Sequence, residues 1–156
     1  MKKIYNLLIS FILLFSFCAC TFSKDNNTKS SSRIEVDDEG NITYIDNEKS
    51  IYRWQKPKWE KDEAYHYSIA LDLKSMNKNY NIDFQDKQTY HIILKKENCI
   101  IFDDERESNV DKKSCSFQNL YVKKEIEDKI KGNYNYQLVI SDSNKQNVEM
   151  NFKMEQ

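Results

Sequence analysis

Tyr134-Asn135-Tyr136-Gln137-Leu138-Val139-Ile140, the polar run Ser141 to Gln146, and Val148-Glu149-Met150-Asn151-Phe152-Lys153-Met154 read together as two strands and their turn. Tyr134, Tyr136, Leu138 and Ile140 fall on one side at period two, and Val148, Met150, Phe152 and Met154 do the same. Alternation of apolar and polar residues is the mark of a strand with one buried and one wet face, so the stretch predicts an antiparallel hairpin.

The same period recurs upstream. Tyr65, Tyr67, Ile69, Leu71 and Leu73 alternate with His66, Ser68, Ala70, Asp72 and Lys74. Tyr80, Ile82 and Phe84 predict a shorter strand, Tyr90, Ile92 and Leu94 another, and Cys99 to Phe102 a further apolar run. Leu120 to Val122 reads as strand, and Arg33 to Ile45 as a hairpin around Asp38-Glu39-Gly40-Asn41. Lys123 to Lys131 predicts one short helix with Ile126 and Ile130 facing inward and Gly132 past its end. With two glycines and one proline in 156 residues, the turns fall to Asn, Asp, Ser and Lys.

About eight short strands with polar connections predict an all-β fold, an antiparallel β-sandwich or small barrel, with a short helix near 123–131. A short helix, a Tyr-rich penultimate strand and a final hairpin resemble the end of many immunoglobulin-like domains; the resemblance implies architecture and no function.

The N-terminus carries a different signal. Lys2 and Lys3 precede the apolar run Leu7 to Phe17, which is of signal-peptide length and short of the ~20 residues a spanning helix needs. Phe17-Cys18-Ala19-Cys20 resembles the bacterial lipobox, with Ala19 at the small position, while Phe17 and Cys18 depart from the family's usual pattern. That resemblance covers residues 1–20 only. It implies removal of residues 1–19 and attachment of acyl chains such as palmitate to Cys20, which two or more chains would make stable. A plain secretory peptide, leaving Cys20 as a free thiol, is the other reading.

Polar residues Thr21 to Ser32 complete a segment 20–32 that reads as lipidated cysteine and flexible tether, followed by a single domain over 33–156. Loss of Lys2 and Lys3 takes the 24 basic residues to 22 against 25 acidic ones, a net charge of about −3. Both signs are mixed along the chain, so no basic surface for nucleic acid is expected. A bacterial cell-envelope location follows from the lipobox resemblance. Thr21 after Cys20, in place of Asp, favours the outer over the inner membrane by resemblance to lipoproteins of diderm cells.

Cys99 and Cys115 remain after the signal is set aside. In an oxidising compartment such a pair predicts a disulfide, here closing the loop that holds Asp103-Asp104-Glu105-Arg106-Glu107. A nucleophilic Cys99 with His91 as base is the competing use, and it lacks a third orienting group. The acidic run has no glycine for a calcium loop of the EF-hand type and reads as solvated.

His66 and His91 sit in predicted strands without ligand spacing, and metal, cofactor and nucleophile-elbow motifs are absent from the sequence. Trp54 and Trp59, among Arg53, Lys56 and Lys58, form the candidate binding surface, with coverage of one end of the core as the plainer role. The functional expectation is a lipid-anchored, non-enzymatic binding or assembly module, without cofactor, whose partner is an envelope protein or cell-wall component. An inhibitor of a lytic enzyme acting through the Cys99 to Cys115 loop, or an enzyme, are the alternatives.

Overall fold

A computed structural model describes residues 32–55, 63–131 and 135–154. Residues 1–31, including Cys20 and most of the tether, lie outside the described residues, as do Trp59, Gly132 and Tyr134. The described chain forms β1 (Arg33–Val36), β2 (Ile42–Ile45), β3 (Lys49–Gln55), β4 (Ala64–Asp72) and α1 (Leu73–Tyr80). Then follow β5 (Thr89–Lys96), β6 (Cys99–Glu107), β7 (Asn109–Val110), β8 (Ser114–Lys123), α2 (Lys124–Lys129), β9 (Asn135–Ser141) and β10 (Asn147–Lys153).

These strands make two antiparallel sheets, in the order β1-β2-β3-β4-β8-β7 and β10-β9-β5-β6. They form an open β-sandwich and not a closed barrel. Leu94 lies between Phe102 of β6 and Leu138 of β9, and all three side chains are buried. Ile51, Ile69, Leu71 and Phe117 close the core from the other sheet. The C-terminal hairpin is as expected, with Val148, Met150, Phe152 and Met154 buried.

Aspartate side chains build the turns that glycine does not. Asp37 Oδ1 accepts from the backbone N–H groups of Glu39 and Asn41, and Gly40 takes φ +82°. Asp142 Oδ1 repeats this with Asn144 and Gln146, the positive φ there falling on Lys145. Asp46 and Asp111 brace shorter turns in the same manner.

Several expectations are corrected. Leu73 to Tyr80 is a helix, capped by Asp72 accepting from the Ser75 N–H and ended by Asn81 in the left-handed region. Ile82 and Phe84 are buried in an irregular segment instead of a strand, since the cap at Asn81 turns the chain before any ladder forms. Asp103–Glu107 is no loop. It is the second half of β6, paired with β5.

The disulfide is not formed: Cys99 is exposed, Cys115 is buried, and both thiols are free. Cys99 opens β6, whereas Cys115 pairs with Val110, just past the far end of β6. Nine residues of strand place those ends ~26 Å apart, whereas a disulfide needs Cα atoms within ~7 Å. Burial also pushes the Cys115 thiol up to about 12, which keeps it unreactive.

Candidate functional site

Period two on β3 turns Lys49, Ile51 and Arg53 inward, so Arg53 brings a guanidinium into the space between the sheets. A buried cation needs a counter-charge, and α2 supplies it. Glu127, 0% exposed, accepts at Oε1 from Arg53 Nη1 at 2.8 Å, Tyr67 Oη at 2.9 Å and Tyr136 Oη at 2.7 Å. Lys96 Nζ stands 3.7 Å from the same oxygen and donates to the Glu127 carbonyl at 3.1 Å. The cluster thereby ties β3 and β4 of one sheet to β5 and β9 of the other and to α2. Glu127 Oε2 is buried with no hydrogen-bond partner among the described residues.

Burial opposes the charge on Arg53, but Tyr67 and Glu127 beside it outweigh that and hold its pKa above the ordinary value. Burial, then the Glu127 charge, push both Tyr67 and Tyr136 above the usual tyrosine range. At the rim Tyr65 donates to Asp128 at 3.0 Å, and burial together with that bond raises it to about 12.

These shifts set an alkaline limit. Unfolded tyrosines ionise near ~10, while Tyr67 and Tyr136 hold their protons higher, so above ~10 the native state binds more protons than the unfolded one. The stability they contribute is complete below that pH and falls above it, by ~1.4 kcal/mol per pH unit for each fully protected tyrosine. Lys96, lowered by burial, works the other way as a single group. Urea unfolding between about pH 9 and about pH 11.5 is expected to show falling stability, with phenolate absorbance appearing at the unfolding transition. Constant stability across that range would contradict the assignment.

The helix expectation at 123–131 holds for position and for Ile130, which packs against the core, and fails for the facing of Ile126. Ile126, expected inward, is 40% exposed, and its neighbour Glu127 takes the inward place. In a six-residue helix the charge on Arg53 and Lys96 decides which side turns in. A sequence signal did exist: Arg53 shares the inward register of Ile51 and demands a carboxylate from elsewhere.

Trp54 is half-buried and forms one row with His66 and Tyr121 across three adjacent strands on the outer face of the larger sheet. The Trp54 and His66 rings stack at 4.3 Å, and Tyr121 meets His66 edge-on at 5.5 Å. His66 faces outward as expected, yet this stacking leaves it only 7% exposed. His91 lies on the outer face of the other sheet, with Nε2 2.6 Å from Asp103 Oδ1. It pairs across the ladder with Glu105, while Cys99 pairs with Lys96, five positions along, so thiol and imidazole are ~17 Å apart. They form no nucleophile and base pair.

Tyr121 leads into a groove of about 330 Å³ between β6 and β8, also lined by Phe102, Asp104, Lys123 and Ile126. The groove exists because β7 is two residues long and pairs only with Cys115 and Ser116, so the rest of β8 has no further strand neighbour among the described residues. Nor has β6 a second one. A bulge sets Gln118 and Asn119 of β8 against Ser68 of β4, with Asn119 at φ +58°. The Asn119 carbonyl accepts from Arg106 Nε at 3.3 Å, and Arg106 also donates to Asp104 and lies over the Phe102 ring. One guanidinium thus joins two strand edges where a ladder would otherwise run.

Among the described residues, no group of three His, Cys, Asp or Glu side chains is placed to hold a metal, and no helix is long and apolar enough to cross a membrane. No protein-family model, curated protein or solved structure matches the chain.

Proposed function

We propose that this protein is a non-enzymatic binding module of the bacterial envelope, held at a membrane by acyl chains on Cys20, and that it engages a partner protein through the groove between β6 and β8. One observation carries the choice of surface. Of the four exposed large apolar side chains among the described residues, Tyr121 (44%) and Ile126 (40%) line this groove, while Ile100 and Val36 are not among its lining. Apolar side chains gathered on one surface, with polar groups around them, mark contact sites more than scattered ones do. The Trp54–His66–Tyr121 row extends the apolar band across the larger sheet, so Trp54 belongs to the same surface.

The anchor reading rests on Lys2, Lys3, the apolar run and Phe17-Cys18-Ala19-Cys20. The polar tether would let the domain reach ~20 Å from the bilayer on average, which favours a partner in the envelope.

A photo-crosslinking side chain at Lys123 in the full chain, expressed in bacteria, tests the reading. A discrete adduct is expected, weakened about tenfold by Ile126→Asp and absent when the crosslinker is moved to Val36. Labelled palmitate should enter the chain and be lost on Cys20→Ala. An adduct indifferent to Ile126→Asp would reject the groove, and palmitate retained on Cys20→Ala would reject the anchor.

A further inference from the structure

We infer that the groove takes an extended, cation-bearing segment of its partner, which adds as a strand to the free edge of β6; this rests on the binding-module reading above. β6 is nine residues long and is paired on one side only among the described residues, which leaves an edge of backbone donors and acceptors on the other, where an added strand would displace the Arg106 and Asp104 side chains that now hold the Glu105 carbonyl and N–H. The charge along that edge selects the occupant. Asp103, Asp104, Glu105 and Glu107 carry four exposed carboxylates against Arg106 and, across the groove, Lys123; Arg106 holds Asp104 and His91 meets Asp103, and the balance stays acidic.

A second copy of this chain is a poor occupant, because antiparallel pairing of β6 with itself would set like charges opposite one another. A segment alternating cationic and apolar residues meets both demands. On one face its apolar side chains reach Phe102, Tyr121 and Ile126, and on the other its cations reach Asp103 and Glu105. Arg106 already shows that a cation is accommodated there, since it bridges Asp104 to the Asn119 carbonyl.

The probes are nonapeptides titrated by fluorescence anisotropy into the full chain held in phosphatidylcholine nanodiscs, so that no anionic lipid competes. An alternating Lys/Ile peptide is expected to bind. Its Glu/Ile counterpart and a version N-methylated at alternate residues, prepared in both phases, should each bind about tenfold weaker. Asp103→Asn with Glu105→Gln, both exposed, should weaken the Lys/Ile peptide about threefold while leaving the unfolding midpoint unchanged.

Equal binding of the N-methylated and plain peptides would overturn strand addition, and equal binding of the Lys and Glu peptides would overturn the choice of a cationic partner. Absence of binding by every peptide would overturn both. If the Lys123 adduct nevertheless forms and depends on Ile126, only this inference falls and the binding-module reading stands.

Discussion

Glu127→Ala is expected to destabilise the domain by about 3–5 kcal/mol, the usual cost of removing one partner from a buried charge pair. The loss would leave Arg53 and Lys96 buried without their carboxylate, and the hydroxyls of Tyr67 and Tyr136 without their acceptor. Against a total of about 5–15 kcal/mol for a domain, that is a large fraction, readable as a lower urea midpoint at constant slope. A control separates charge loss from packing loss. Arg53→Met, Lys96→Met and Glu127→Leu together remove every charge of the cluster and should recover much of the stability, since apolar replacements of buried ion pairs are often neutral or better. A Glu127→Ala change within about 1 kcal/mol of the parent would mean the cluster does not hold the sheets together.

Phe117→Ala is the second large effect, again about 3–5 kcal/mol, through a cavity and not through charge. Phe117 is fully buried on β8, with Phe84 and Tyr90 edge-on at 6.1 and 5.7 Å. Phe84 belongs to the irregular segment after α1, which no ladder supports, and Tyr90 Oη accepts from the Gln85 N–H. Removing the ring therefore undercuts the packing that holds this segment. Hydrogen exchange should quicken at residues 82–85 beyond the global change. A loss below about 2 kcal/mol would show that the neighbours collapse into the space.

The strands were legible because period two is a local property, and β5, β9, β10 and the first hairpin stand where alternation puts them. The aspartate turns were legible too, since scarce glycine left few other ways to turn. The α1 region misled because Leu73, Tyr80 and Ile82 fit a strand pattern, whereas the Asp72 and Asn81 caps favoured the helix. The disulfide expectation failed on distance. Compartment and parity speak only to whether two thiols would oxidise, and strand direction decides whether they meet.

Ile126 and Glu127 show the limit most sharply. By hydropathy alone Ile126 belongs inside, but a helix of six residues has too little apolar face to choose its own orientation. Two cations already buried on β3 and β5 chose it, turning Glu127 in and leaving Ile126 on the groove. The all-β class, most strand faces and the composition of the turns are written along the chain, because they follow from residues adjacent in sequence. The buried charge cluster, the separation of the cysteines and the edge of β6 beside β8, unpaired among the described residues, come from the packed fold. Each of these depends on which strands lie next to one another, and that is settled by packing between the sheets.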